Sequence, residues 1–255
     1  MKLGVFDSGL GGLTVVRHLR EQLPQADILF YADQLHVPYG LRDQEELYGF
    51  LCNNIATLEA QGVDAIVVGC NTSCAIATKF GMPKASVPIF DLVEAGANAA
   101  FAVASNRFGV AATPVTVNTG AYRRALMVRD AASEVIEIAS PVLAGLIEQQ
   151  APAAQLRAAV QEIADLLRPC NAVILGCSHY ALIEELFSEA LPYAAIIDPA
   201  REQALAVANY AREQGKQTSG GASFVAWTNA DTRAFIDKVN QLGLTQPCSG
   251  LAVAR

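Results

Sequence analysis

The chain has 255 residues, 52% of them hydrophobic, and a formal net charge of −7, which suits one large α/β domain or two small ones. No cluster of Lys and Arg offers a phosphate-neutralising patch, so nucleic acid is not an expected partner. The apolar runs end well short of the roughly 20 residues that span a membrane, and no secretory signal fits the N-terminus, so we expect a cytoplasmic protein without a membrane partner.

Short aliphatic runs alternate with amphipathic helical segments from the N-terminus onward. The first run, LGVFD, precedes GGLTVVRHLREQL, in which Leu13, Val16 and Leu19 lie on one helical face. The runs DILFYAD, DAIVVGC and PIFDLV follow, each before a loop or another helical segment. This alternation predicts a mostly parallel sheet with helices on both faces, and ligands bind such sheets beyond the carboxyl ends of the strands.

The second half of the chain repeats the first. GVFDSG at 4–9 matches GVAATP at 109–114, and VVGCNT at 67–72 matches ILGCSH at 174–179. We therefore predict an α/β fold of two pseudo-symmetric lobes, each a mostly parallel sheet flanked by helices, with the active site in the cleft between them. Residues 1–97 and 210–255 are expected to form the first lobe, to which the last segment adds a strand and a helix. Residues 98–209 are expected to form the second.

Two cysteines occupy equivalent positions in the repeat. Cys70 and Cys177 each follow an apolar run and a glycine, and each precedes small polar residues. If the lobes face each other, the two thiols approach a bound molecule from opposite sides. Inverting a carbon centre needs that arrangement, because one group removes a proton from one face while another returns a proton to the opposite face. The strand-to-helix turns are expected to lower the pKa of both thiols, with Asp7 and His179 assisting.

Each of these residues also has a structural interpretation. A cysteine after an apolar strand is often buried filler, Asp7 is equally suited to capping the helix that follows it, and His179 alone would be a structural histidine. Tyr39 and Gly40 fit a simple turn. A zinc site lacks a C-x₂-C pair, and a Cys–His hydrolase leaves the second thiol unexplained. We expect the remaining cysteines to be structural: Cys52, Cys74, Cys170 and Cys248.

Six motifs in the chain are similar to those of one family. They are GVFDSGLGGLTV, VPYG, GCNTSCA, TPVTVNTGAYRRAL, GLIE and GCSHY. Together they resemble the cofactor-independent aspartate/glutamate racemase superfamily over essentially the whole chain. The resemblance implies interconversion of L- and D-glutamate, without pyridoxal phosphate or metal, to supply D-glutamate for peptidoglycan. It also implies that the protein is a homodimer. The molecule that it is expected to bind is a small amino acid, its substrate.

Site residues follow from the resemblance by motif. Cys70 would handle the α-proton of the D-enantiomer and Cys177 that of the L-enantiomer, while Asp7, His179 and Glu148 would assist. The implied substrate-binding residues are Asp7, Ser8, Pro38, Tyr39, Gly40, Asn71, Thr72, Thr113, Thr116, Ser178 and His179.

The chain departs from the family pattern at several positions. Ser178 stands where Thr is usual and Ala181 where Pro is usual, and Gln34 and His36 are atypical in their motif. None of these removes an acid–base group, but they bear on pocket size. The alternatives are therefore a racemase or isomerase for aspartate, a hydantoin or a related acid, and a weakly catalytic paralogue that acts as a binding protein.

Overall fold

The structure, a computed structural model, describes residues 1–103, 105–216 and 221–241. The strands in this part of the chain are β1 (Lys2–Asp7), β2 (Asp27–Ala32), β3 (Ala65–Val68), β4 (Ile89–Asp91), β5 (Arg107–Ala112), β6 (Glu134–Ala139), β7 (Ala172–Gly176), β8 (Ala195–Ile197) and β9 (Phe224–Thr228). The α-helices are α1 (Leu13–Gln22), α2 (Gln44–Glu59), α3 (Asn71–Phe80), α4 (Leu92–Ala102), α5 (Pro114–Thr119), α6 (Ala121–Arg129), α7 (Leu143–Glu148), α8 (Ala153–Leu167), α9 (Glu184–Ala190), α10 (Pro199–Glu213) and α11 (Thr232–Gln241). Short 3₁₀ turns are Gln34–His36, Tyr39–Leu41 and Ser178–Ile183.

The strands form two parallel sheets that share one topology. The first has the order β4-β3-β1-β2-β9 and the second β6-β5-β7-β8, so that β1 to β4 correspond to β5 to β8 in turn. The predicted α/β fold of two similar lobes is confirmed. The late strand β9 pairs with β2 in the first sheet and, among the described residues, has no counterpart in the second.

Local sequence explains where several helices begin. The Asp43 and Asp91 side chains accept backbone N–H bonds at the starts of α2 and α4. Thr113 and Asp198 do the same before α5 and α10, whose first residue is proline. Such caps satisfy N–H groups that have no partner within the helix.

The core lies between the sheets and the apolar faces of the helices. On α1, the predicted face of Leu13, Val16 and Leu19 is fully buried against the first sheet. Burying each such side chain stabilises the fold by about 1.5–3 kcal/mol. The aliphatic strands β3 and β7 are buried along their length, as expected for parallel strands covered on both faces.

Helices from both halves of the chain pack together beside the sheets. Helix α10 packs on α1 and α4. The expected domain boundaries at 97/98 and 209/210 fall inside α4 and α10, and the division of the chain there stays a prediction. Within the described residues, no helix is both long enough and apolar enough to cross a membrane.

Candidate active site

The carboxyl ends of four central strands bring the candidate residues together. Ser8 follows β1, Cys70 follows β3, Thr113 follows β5 and Cys177 follows β7. In parallel sheets these ends lie on one edge, and here the edges of the two sheets face a shared cavity. The duplicated sequence pattern thus places one thiol from each lobe at the same cavity.

This cavity has a volume of about 230 Å³. Most of the residues predicted from the sequence line it: Ser8, Pro38, Tyr39, Gly40, Cys70, Asn71, Thr72, Thr113, Glu148, Cys177, Ser178 and His179. Asp7 and Thr116 are fully buried behind that wall. Asp7 accepts a hydrogen bond from the Ser178 hydroxyl at 3.3 Å, and Thr116 lies 3.0 Å from the Thr113 hydroxyl. Both therefore contact the lining residues and not the cavity itself.

Cys70 is a buried thiol that lies beside the Ser8 hydroxyl. Its Sγ lies 3.6 Å from Ser8 Oγ, and its backbone caps α3 in an extended conformation. Burial raises the pKa of this thiol to about 12, and the nearby negative charge of Asp7 adds to the shift. The expectation that the helix N-terminus would lower this pKa is wrong, because the lost hydration outweighs the favourable backbone hydrogen bond.

We expect Cys70 to remain a protonated thiol at neutral pH. Because its folded pKa lies above the ordinary value of 9.0, the stability it contributes is present below that value and is lost as the pH rises toward about 12. Alkylation by iodoacetamide at increasing pH, followed by peptide mass spectrometry, should give Cys70 an apparent pKa well above the ordinary value. Asp7→Asn should lower it, and a wild-type midpoint at or below 9.0 would contradict the assignment.

Asp7 has two roles in the structure. Its Oδ2 accepts the backbone N–H groups of Gly9 at 3.2 Å and Gly12 at 2.8 Å, which anchors the loop that leads into α1. Its Oδ1 reaches Ser178 of the other lobe. Burial raises the pKa of this carboxyl, although the His179 charge and the two backbone bonds oppose the shift. The helix-capping interpretation is not met in the strict sense, because Gly12 is the N-cap of α1 and no side chain caps that helix; Asp7 instead ties down the loop before it and supports the wall of the cavity.

The Cys177 side carries a different set of partners. Cys177 Sγ lies 3.9 Å from His179 Nδ1, and His179 Nε2 lies 2.5 Å from Glu148 Oε2. Burial alone would lower the pKa of the imidazole, but its bonds to Cys177 and Glu148 outweigh burial and raise this pKa well above the usual value. A positively charged imidazole thus lies beside the Cys177 sulfur, and Glu148 holds it there.

The segment after Cys177 differs in detail from the expected α-helix. Residues Ser178–Ile183 form a 3₁₀ turn, and the α-helix α9 begins only at Glu184. This tighter winding directs the His179 side chain back to Cys177, two residues earlier.

Neutral donors line the rest of the cavity. The hydroxyls of Thr72 and Thr113 lie 3.0 Å apart. Asn71 Oδ1 accepts a hydrogen bond from the Tyr122 hydroxyl at 2.5 Å, while its Nδ2 is buried without a hydrogen-bond partner among the described residues. A buried donor of this kind costs free energy until a ligand pairs with it. No Lys or Arg is among the lining residues in the described part of the chain.

A buried carboxylate fixes the loop that forms the outer wall. Asp33 accepts a hydrogen bond from the Tyr39 hydroxyl and lies 2.6 Å from His36 Nδ1, whose ring stacks on Phe50 at 4.0 Å. Asn54 donates to the Tyr39 hydroxyl at 3.2 Å. Tyr39 and the neighbouring Gly40 are thus held by a network as well as by a turn.

Sequence reasoning missed one wall of the cavity. The β6–α7 segment contributes lining residues that were not expected: Ser140, Pro141, Ala144, Gly145 and Gln149. The repeat contains the signal, because ASPVLAGLI at 139–147 aligns with the VPYG loop of the first half.

The other cysteines lie outside the cavity wall. Cys74 is a buried residue of α3, and its Sγ lies 3.5 Å from the Val68 carbonyl oxygen, while Cys170 is buried in the core of the second sheet. Cys52 is partly exposed, and Cys248 lies outside the described residues. No cluster of three His, Cys, Asp or Glu side chains suited to a metal ion occurs in the described ranges.

Two parallel-sheet lobes that each present a thiol to one shared cavity define a class of two-lobed α/β proteins. Residues 12–207 match the family model of Asp/Glu/hydantoin racemases. The chain belongs to the Asp/Glu/hydantoin racemase family.

Named relatives and solved structures agree with this assignment. The chain is 38% identical to the glutamate racemase of Trichodesmium erythraeum over 78% of this chain and 75% of the relative. It superposes on a Bacillus anthracis glutamate racemase with a TM-score of 0.89 at 28% identity, covering 99% of this chain and 96% of the other. A Francisella tularensis glutamate racemase, solved with D-glutamate, gives the same TM-score at 27% identity, covering 100% and 97%.

Proposed function

We propose that the protein interconverts L- and D-glutamate by acid–base chemistry at two cysteines, with no cofactor. The observation that carries the proposal is the shared cavity, to which the β3 and β7 ends contribute one buried thiol each, Cys70 and Cys177. Two acid–base groups of this kind contribute about 10²–10⁴-fold each to a proton transfer.

In the direction from L to D, the Cys177 thiolate removes the α-proton of L-glutamate. The Cys70 thiol then returns a proton to the opposite face of the carbon, which inverts the centre and leaves a thiolate at Cys70. The reverse direction exchanges these roles. His179 and Glu148 support the charge at Cys177, whereas Ser8 and the buried Asp7 lie on the Cys70 side.

Recognition of the substrate is assigned to uncharged donors. Ser8, Asn71, Thr72, Thr113 and Ser178 line the cavity, and the unpaired Nδ2 of Asn71 is suited to a carboxylate oxygen. Tyr39 and Gly40, with Pro38, form the outer wall. Glutamate is favoured over aspartate or a hydantoin because the named relatives and the full-length structural matches are glutamate racemases.

Proton NMR in D₂O tests the reaction and its substrate together. Purified protein incubated with L-glutamate should remove the α-proton signal, and chiral chromatography should show D-glutamate accumulating to an equal share. L-aspartate is the matched substrate control and should react far more slowly. Exchange of aspartate in place of glutamate would reassign the substrate, and no exchange of either would favour a binding protein.

The biological setting is proposed from the same activity. D-glutamate made here would supply peptidoglycan synthesis in the cytoplasm, and the working form would be a homodimer. Support for self-association comes from two exposed apolar side chains, Leu41, which lines the cavity, and Val142, which follows the lining residue Pro141. Analytical ultracentrifugation should give twice the chain mass, and a monomer at micromolar concentration would contradict the dimer.

A further inference from the structure

A hydrogen bond between the two lobes lies next to Cys177, His179 and Glu148, which are here called the Cys177 group. Gln34, in the turn after β2, donates from Nε2 to Glu148 Oε1 at 3.3 Å. Glu148 ends α7 in the second lobe, and its other oxygen, Oε2, holds His179 at 2.5 Å. The first lobe thus contacts the carboxylate that orients the imidazole beside the second-lobe thiol.

The orientation of the Gln34 carboxamide is set at both ends. Its Oε1 lies 3.5 Å from the Thr228 hydroxyl at the end of β9, and its Nε2 faces the carboxylate. A hydroxyl donor on one side and an acceptor-only carboxylate on the other define which end carries the NH₂ group. Thr228 is itself buried and accepts a hydrogen bond from the Ala230 N–H at 3.2 Å, so the anchor is fixed.

We infer that Gln34 is a positioning residue that holds Glu148 against His179 and thereby supports proton transfer at Cys177. This inference rests on the proposed racemisation and on the assignment of Cys177 to the L-enantiomer. Gln34 touches neither sulfur and is not part of the cavity wall. Its effect passes through three contacts, from its carboxamide to Glu148, from Glu148 to His179, and from His179 to Cys177.

The inference predicts that a change at Gln34 weakens proton transfer at Cys177 and leaves proton transfer at Cys70 unchanged in itself. A weakened Cys177 group makes proton transfer between that sulfur and the α-carbon more rate-limiting, while transfer at Cys70 becomes less so. With α-deuterated L-glutamate, whose deuterium Cys177 removes, the isotope effect should rise. With α-deuterated D-glutamate, whose deuterium Cys70 removes, it should fall. A general loosening of the fold does not move the two isotope effects in opposite directions.

The test compares wild type with Gln34→Met, which keeps the length of the side chain but removes the carboxamide. We expect kcat to fall about tenfold, as for loss of one hydrogen bond to a charged group, with the two isotope effects diverging as described. Gln34→Ala, which removes the carboxamide by truncating the side chain, should give the same pattern if Met does not fit. In a Glu148→Ala background, Gln34→Met should change kcat by less than about twofold, because its target is gone.

Gln161→Met is the matched control. Gln161 also donates a carboxamide N–H to a carboxylate, Asp165 Oδ1 at 2.8 Å, but on the exposed face of α8. That variant should retain wild-type kcat and isotope effects. If wild type racemises glutamate and both Gln34 variants retain its kcat and isotope effects, the positioning role is wrong. If wild type does not racemise glutamate, the proposed function itself fails.

Discussion

Replacing either cavity cysteine with alanine is expected to reduce glutamate racemisation by at least about 10²–10⁴-fold, the contribution of one acid–base group. Both thiols are buried and line the same cavity, and no other cysteine of the described chain does. Because each lobe supplies only one of them, the remaining sulfur cannot reach the opposite face of the α-carbon. Chiral chromatography of the product measures the loss.

Hydrogen exchange separates the two variants. In D₂O, Cys70→Ala retains the base for L-glutamate and should exchange its α-proton without inversion, while Cys177→Ala should do so with D-glutamate. Cys170→Ala removes an equally buried thiol from the second core and should keep full activity. Thermal unfolding checks that all three variants fold. Wild-type racemisation by Cys70→Ala or Cys177→Ala would remove the two-thiol assignment.

Gly11→Ala is expected to impair both stability and activity. A Cβ at Gly11 would lie 2.3 Å from Ser178 Oγ and 2.7 Å from the His179 backbone nitrogen. A side-chain oxygen can rotate away, but the backbone nitrogen moves only with the whole 3₁₀ turn. Overpacking of this kind costs about 1–3 kcal/mol of unfolding free energy, and the displaced turn carries His179 away from Cys177.

Gly49→Ala provides the matched control. Gly49 is exposed on α2, and a Cβ there meets no atom within 4 Å. Alanine in a helix interior is more favourable than glycine by about 0.5–1 kcal/mol, so this variant should gain stability and keep its activity. Urea unfolding and the racemisation assay measure both variants. A Gly11→Ala protein with wild-type stability and rate would show that the loop does not dock on the second lobe as described.

The lobes and their thiols were predictable because they depend on local patterns. The length and composition of the apolar runs predict strands at β3 and β7. The glycine that follows each run indicates that Cys70 and Cys177 lie beyond the strand ends. A sequence repeat predicts a structural repeat, and the strand orders agree with it.

Contacts between the lobes were not predictable in the same way. The approach of Gly11 to Ser178 and the bond from Gln34 to Glu148 depend on how one lobe is oriented relative to the other. No periodicity encodes that orientation. The pKa of Cys70 was likewise mispredicted, since a turn in the sequence indicates nearby N–H groups but not the extent of burial.

The unequal surroundings of the two sulfur atoms have a thermodynamic consequence. Mirror-image molecules have the same free energy in water, so kcat/KM must be identical in both directions whatever groups the protein provides. A hydroxyl beside Cys70 and an imidazole beside Cys177 therefore cannot favour one product. Any difference that they make between the two directions acts on kcat and KM by the same factor, so the hand of the amino acid that saturates the protein at the lower concentration must also turn over more slowly.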